Sequence, residues 1–307
     1  MRRRAAGPAL KALALAALAL AACCLPAAAQ QDFSKVEIKA ERLADTVWML
    51  TGSGGNLGLS AGADGAVLID DQFAPLTPKI KAAIAAITAK PVRFVLNTHW
   101  HFDHTGGNEN LGGEGALIVA HDNVRRRMET SQFIEFMRMN IDPAPRAALP
   151  VVTFSADATF HLNGEEIHAF HVPRAHTDGD TIVHLRKSDV IHMGDTYFNG
   201  FYPFVDTSSG GTVEGVVAAA DRALALATDR TKIIPGHGPL SNRAQLKEYR
   251  DMLSTVLSRV RQLIKDGRKL EEIVDSPVTA EYDAKWGKGF IPPRKFVEMV
   301  AMNLLRN

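Results

Sequence analysis

At 307 residues the chain is 46% hydrophobic and 22% charged, with 35 Lys+Arg against 34 Asp+Glu and a formal net charge of +1. That balance excludes a disordered polyelectrolyte or a fibre and supplies no basic excess for nucleic-acid binding. Both cysteines, Cys23 and Cys24, fall within the first thirty residues, so the rest of the chain has neither a disulfide nor a thiolate ligand to draw on.

Arg2, Arg3, Arg4 and Lys11 precede the apolar run Ala12–Leu25, and Ala27-Ala28-Ala29 follows it. A basic start, a short apolar core and an A-x-A site predict a secretory signal peptide over residues 1–29, and with it a periplasmic or secreted protein. The run is too short and too rich in Ala for a membrane span. Leu20-Ala21-Ala22-Cys23 offers the alternative of a lipobox with a lipid anchor at Cys23. The A-x-A site and the Gln30-Gln31 that follows favour the soluble form. Cleavage would remove four bases and no acid, leaving a single domain over 30–307 with a net charge of −3.

Val36–Thr51 ends in Val47-Trp48-Met49-Leu50 and predicts strand. Gly52-Ser53-Gly54-Gly55-Asn56 predicts a hairpin loop into an extended Leu57–Ser60, and lacks the Lys-Ser/Thr ending of a phosphate loop. Ala66–Asp70 reads as a strand buried on both faces, Thr77–Lys90 as an amphipathic helix opened by Thr77-Pro78, and Val92–Leu96 as the next buried strand. Ala116–Ala120 predicts another strand and His121–Asn140 a helix with Arg125, Arg126 and Arg127 on a solvated face. Pro143–Pro150 breaks the chain beside a Met- and Phe-bearing stretch suited to a flap. Val151–Met193 is β-rich, with turn signals at Asn163-Gly164 and Asp178-Gly179. Val213–Ala227 and Asn242–Lys265 predict helices flanking a short strand at Lys232–Ile234, and the tail from Lys269 is helical. Two β-rich halves, each followed by helices, predict an α/β protein with two central mixed sheets covered by helices.

The strand Val92–Leu96 delivers Asn97-Thr98-His99-Trp100-His101-Phe102-Asp103-His104. Three imidazoles and a carboxylate in six positions is a metal-ligand density that folding does not require. His99 and His101 lie two apart, so from an extended segment their side chains share one side and one cation. Asp103 and His104, on the next turn of backbone, are placed for a second. His99-x-His101-x-Asp103-His104 resembles the metal motif of the metallo-β-lactamase superfamily. The resemblance implies further ligands in a set order, which Ala175-His176-Thr177-Asp178-Gly179, Met193-Gly194-Asp195-Thr196 and Ile234-Pro235-Gly236-His237-Gly238 supply. It implies a four-layer αββα sandwich and two zinc ions per chain. His99, His101 and His176 would hold one ion, Asp103, His104 and His237 the other, with Asp195 between them. Such a pair lowers the pKa of a shared water to give a hydroxide that attacks a carbonyl, with Asp103 as the catalytic group orienting it.

The predicted reaction is therefore hydrolysis of a small molecule, a cyclic amide or ester such as a β-lactam met outside the cytoplasm. In the best-known β-lactamase subclass a Cys stands at the position of Asp195 and a Lys at that of Phe198, so a drug carboxylate would need another cation here, such as Arg174. Asp195 instead resembles glyoxalase II and the lactonases, which open thioesters, lactones or esters. His101 stands where redox members of the superfamily place Glu, which argues against an iron oxidase. Outside enzymes, the alternative is a metal-binding accessory protein of a periplasmic pathway. Candidate substrate contacts are Asn56, on the loop that borders the family's metal site, Trp100, between ligands, and Tyr197, just after Asp195. His192 is a candidate support for Asp195, while His121, His161, His168, His171 and His184 lack ligand spacing.

Overall fold

A computed structural model describes residues 32–306; the leader expected over 1–29, with its cleavage site and Cys23, lies outside the described residues. The first half runs β1 (Lys39–Arg42), β2 (Val47–Thr51), β3 (Leu57–Gly62), β4 (Gly65–Ile69), α1 (Thr77–Ala85), β5 (Val92–Leu96), α2 (Phe102–Thr105), α3 (Asn108–Gly113), β6 (Leu117–His121), α4 (Asp122–Met128), β7 (Gln132–Ile134), β8 (Met139–Ile141) and β9 (Val152–Phe154). It builds a sheet in the order β1-β2-β3-β4-β5-β6-β9, antiparallel as far as β4 and parallel from there on. The second half runs β10 (Asp157–Leu162), β11 (Glu165–His171), β12 (Thr181–Leu185), β13 (Val190–His192), α5 (Val213–Leu226), β14 (Lys232–Ile234), β15 (Ser241–Asn242), α6 (Arg243–Lys265), α7 (Leu270–Val274), α8 (Asp283–Trp286) and α9 (Pro293–Arg306). Its sheet runs β10 to β15 in chain order, antiparallel except for the parallel pair β13 and β14.

Strand side chains alternate between faces, so each sheet feeds two cores. Val67 and Ile69 of β4 and Leu96 of β5 point inward and meet Ala169, Val183, Leu185 and Ile234 of the other sheet. Leu68 of β4 and Val95 of β5 point outward under Ile80 and Ile84 of α1. On the far side, Ile182, Ile191 and Ile233 face Val216 and Ala220 of α5 and Leu253 and Val256 of α6. The order helix, sheet, sheet, helix is the four-layer αββα arrangement, with both sheets mixed as the sequence predicts.

Two local expectations give way. Residues 121–140 do not form one helix: α4 ends at Met128, and β7 and β8 form a hairpin whose turn closes through the Arg138 amide and the Glu135 carbonyl. No helix breaker marks this change. It is imposed by packing, because Ile134 is fully buried and the Phe136 ring lies 5.2 Å from that of Phe204. Asn163-Gly164 does turn β10 into β11, both residues at positive φ. Asp178-Gly179 instead belongs to a longer loop between β11 and β12, and the Asp178 carboxylate is held there by the Arg127 fork at 2.7 and 2.8 Å.

Candidate metal centre

The candidate ligands sit where strands end. Asn97 leaves β5 with its amide locked to that of Asn108, donating at 3.1 Å and accepting at 2.9 Å, so His99 and His101 emerge from a fixed exit. His176 lies in the loop from β11 to β12, Asp195 follows β13, and His237 follows β14. Parallel β13 and β14 deliver their last two at the same end of the second sheet. The Gly52–Asn56 loop closes over the first set. The Gly55 amide donates to the Asp103 carbonyl at 3.1 Å, and a Cβ on Gly55 would lie 2.1 Å from the His104 ring.

The structure brings all seven candidate ligands together. His99, His101 and His176 form one compact set of donors; His99, His104 and Asp195 a second; Asp103, His104 and His237 a third. Asp195 reaches most of them: Oδ1 lies 3.0 Å from His104 Nε2, and Oδ2 lies 3.4 Å from His237 Nε2, 3.6 Å from His176 Nε2 and 3.9 Å from His99 Nε2. Asp103 Oδ2 stands 3.4 Å from His237 Nε2 and 3.7 Å from His104 Nε2. Its side chain is 20% exposed and that of His237 26%, against 5% for Asp195, so the centre opens to solvent on the side of these two.

Hydrogen bonds fix which ring nitrogens face inward. His176 Nδ1 lies 2.8 Å from the Phe204 carbonyl, and His101 Nε2 lies 3.1 Å from Asp206 Oδ2. Both partners accept, so both nitrogens carry the proton. The other nitrogens, His176 Nε2 and His101 Nδ1, then present lone pairs to each other at 2.9 Å. Two lone pairs at that distance repel unless a cation lies between them. His104 Nδ1 donates to Asp70 at 2.8 Å, which aims its Nε2 lone pair at Asp195 and at His237 Nε2, 3.5 Å away. Thr98 Oγ1 donates to Asp70 and receives His99 Nδ1, leaving buried His99 Nε2 without a hydrogen-bond partner among the described residues. An imidazole set and a mixed oxygen–nitrogen set, with the outer nitrogens of His99, His101, His104 and His176 hydrogen-bonded, fit a pair of metal ions.

Electrostatics agree. Burial pushes His176 down to about 4, with His101 adding to the shift and Asp195 opposing it. Burial also pulls His237 down, but Asp195 and Asp103 outweigh it and raise the group to about 9. Asp206 overcomes its burial through His101, Ser208 and Ser209, and lies well below the usual carboxylate range.

The three expected substrate contacts are placed otherwise. Asn56 is buried with its amide donating to the Pro235 and Gly238 carbonyls, 2.9 Å each, so it shapes the turn that carries His237. Trp100 is 3% exposed and packs in the core, its ring 4.8 Å from that of His101. Tyr197 is fully buried, with its hydroxyl 2.7 Å from Ser241 Oγ and its ring on Tyr249. Trp100 sits between His99 and His101, whose rings both face the centre, and packs away from it into the core; Tyr197, just beyond the Gly194–Thr196 turn that carries Asp195, packs into the same core. Arg174, the candidate counter-cation, is exposed, and its carbonyl accepts from Thr212 at the start of α5. His192 supports the centre indirectly, through its Nε2 at 3.0 Å from the Asn56 carbonyl. Sequence reading missed Asp70, Thr98 and Asp206. Only Asp206 carries a local signal, as the cap of the Thr207–Ser209 turn, where it accepts from the Ser209 amide. Phe198 stacks on His237 with centroids 5.1 Å apart, and Phe204 on His101 at 6.0 Å, so aromatic walls flank the donors.

The family model of the metallo-beta-lactamase superfamily matches residues 50–237. A hydroxyacylglutathione hydrolase of Polaromonas sp. (strain JS666 / ATCC BAA-500) is 26% identical over 183 residues, 58% of this chain and 60% of that protein. An acyl-coenzyme A thioesterase of Bos taurus is 22% identical over 211 residues, 62% of this chain and 72% of that protein. Among solved structures, a metallo-beta-lactamase from Pontibacter korlensis shares the fold with a TM-score of 0.58 at 20% identity, covering 71% of this chain and 99% of its own. The sec-alkylsulfatase Pisa1 of Pseudomonas sp. does so at 0.64 and 18% identity, covering 87% of this chain and 50% of its own. The matched span holds the whole donor set from His99 to His237, and the chain belongs to the metallo-β-lactamase superfamily.

Proposed function

We propose that this superfamily hydrolase is a dizinc enzyme acting on a small carboxylic ester or thioester. The observation that carries the reading is the position of Asp195, whose two oxygens lie between the three-imidazole set and the set of Asp103, His104 and His237. His99, His101 and His176 would hold one ion, Asp103, His104 and His237 the other, and Asp195 would be shared. Zinc ions held there supply Lewis acidity and ionise water near neutral pH. The chain's own groups do the rest. Asp103, solvent-facing among the carboxylates of the centre, accepts a hydrogen bond from the attacking water and turns its lone pair toward the carbonyl. Asp70, Asp206 and the Phe204 carbonyl keep the imidazoles in the tautomer that leaves inner lone pairs free. Phe198 and Phe204 exclude bulk water from the donors they cover.

The two relatives, a hydroxyacylglutathione hydrolase and an acyl-coenzyme A thioesterase, support a thioester over a β-lactam. So does Phe198, which places an aromatic ring rather than a cation beside His237. Export of the protein to the periplasm belongs to the same proposal and rests on the basic start, apolar core and A-x-A site of residues 1–29. The test is turnover of an S-acyl glutathione, a p-nitrophenyl ester, a lactone and a chromogenic β-lactam by purified residues 30–307 of known metal content. The expected result is about two zinc per chain and thioester or ester turnover that chelation abolishes and zinc restores. Faster β-lactam than thioester turnover would overturn the substrate class, and zinc-loaded protein inert to all four would overturn the enzyme reading.

A further inference from the structure

A cavity of about 520 Å³ lies between the β7–β8 hairpin and helix α9, within the size range of small-molecule sites. Phe133, Phe136, Val205, Met299 and Met302 supply apolar wall, and the two methionines are the side chains best able to mould to a flexible chain. Three cations also line it. Lys295 is paired with Glu298 at 2.7 Å, and Arg306 grips Glu135 through two bonds of 2.9 Å, tying the hairpin to α9. The Arg138 guanidinium, at the hairpin turn, has no hydrogen-bond or carboxylate partner among the described residues. With Glu135, Glu298 and Asp206 taken up by Arg306, Lys295 and His101, an apolar wall beside one guanidinium unpaired among the described residues suits an amphipathic molecule carrying a carboxylate.

The cavity stands apart from the metal centre. It reaches Asp206, which faces His101 from the Nε2 side, whereas His101 meets His176 through Nδ1. Phe204 closes the gap, with one face toward His101 and its ring 5.2 Å from Phe136. A molecule in the cavity is thus separated from the donors by Asp206 and Phe204.

We infer that this cavity is a second binding site, separate from the metal centre, for an amphipathic carboxylate whose head pairs with Arg138 and whose chain lies along Phe133, Met299 and Met302. Binding is read without turnover, so the inference stands or falls independently of the proposed reaction. The probe is dodecanoate, titrated into the metal-loaded protein by calorimetry, with dodecanol as the uncharged control and a diazirine-bearing dodecanoate to map the site. The expected result is one saturable site, weakened at least tenfold by Arg138→Ala for dodecanoate but unchanged for dodecanol, with photolabel on Phe133, Met299 or Met302. Met302→Trp should fill the cavity and abolish labelling there while the zinc content stays at the wild-type level. Equal affinity of wild type and Arg138→Ala for dodecanoate, label confined to residues beside His237, or no saturable binding would each overturn the assignment.

Discussion

Asp70 Oδ2 receives the Nδ1–H of His104 at 2.8 Å from a backbone position at φ +59°. The same oxygen takes the Thr98 hydroxyl at 2.8 Å, and Thr98 in turn receives His99 Nδ1 at 3.0 Å. One carboxylate thus sets the tautomer of an imidazole in each donor set, although it touches neither inner lone pair. Asp70→Ala should lower zinc affinity and turnover by about 10–100-fold, the usual cost of losing the partner behind a metal-ligating histidine. Zinc titration against a chromophoric chelator checks this, and an unchanged affinity would remove Asp70 from the role.

Gly236 lies so close to Asp195 that a Cβ there would sit 2.1 Å from Asp195 Oδ1 and 2.6 Å from the Gly194 carbonyl carbon and oxygen. Gly236→Ala must therefore displace the shared carboxylate or the turn that carries His237. The expected outcome is a folded protein that retains at most one zinc per chain, counted by plasma emission after gel filtration. Two zinc per chain in this variant would show that Asp195 tolerates displacement.

Asn56 and Tyr197 separate scaffold from substrate contact. Asn56→Ala leaves the Pro235 and Gly238 carbonyls without their donor and should cost about 1–3 kcal/mol in urea unfolding. Tyr197→Phe removes the bond to Ser241 and should cost roughly 1 kcal/mol. In Tyr197→Phe, KM should remain within about twofold of wild type, and a large rise in KM with unchanged stability would restore the tyrosine as a substrate contact.

In metal-free protein the histidines make stability depend on pH in two opposite senses. His176 is depressed to about 4, so its contribution is present above the unfolded value of about 6.5 and is lost as pH falls through 4. His237 is raised to about 9, so its contribution is complete below about pH 6.5 and is lost as pH rises through 9. The midpoint of thermal unfolding in chelator should therefore peak near pH 6.5 if these two groups dominate. Zinc must displace the protons that Asp195 and Asp103 hold on His237 and His104, so affinity at that set should climb by at least about tenfold per pH unit between 6.5 and 9. A pH-independent zinc affinity across that window would contradict the raised His237.

The candidate ligands were legible because their chemistry is written in short spacings: His99 through His104 lie in one strand exit, and His176, Asp195 and His237 each sit in a compact turn. The four-layer order was legible for a related reason, since two β-rich halves with their helices leave few ways to bury both faces of each sheet. Asp70 and Asp206 escaped because each acts on a partner far along the chain, 34 residues away for His104 and 105 for His101, and neither partner marks its sequence. Asn56 misled for the same reason, its amide being spent on a carbonyl 179 residues downstream. The helix expected over 121–140 forms only as far as Met128; beyond it packing prevails over propensity, with Ile134 buried and Phe136 against Phe204 in the hairpin.

His104 and His237 meet at 3.5 Å across 133 residues, one carried by the first sheet and the other by the second. In polymer terms, an ion gripping both closes a loop of that length, a constraint that for a covalent link would be worth about 5 kcal/mol of chain entropy. The centre is then a removable cross-link as well as a place for chemistry. Its withdrawal would let the two sheets breathe against each other, and backbone amides at the ends of β5 and β14 would exchange with solvent sooner than those at the middle of the inter-sheet core.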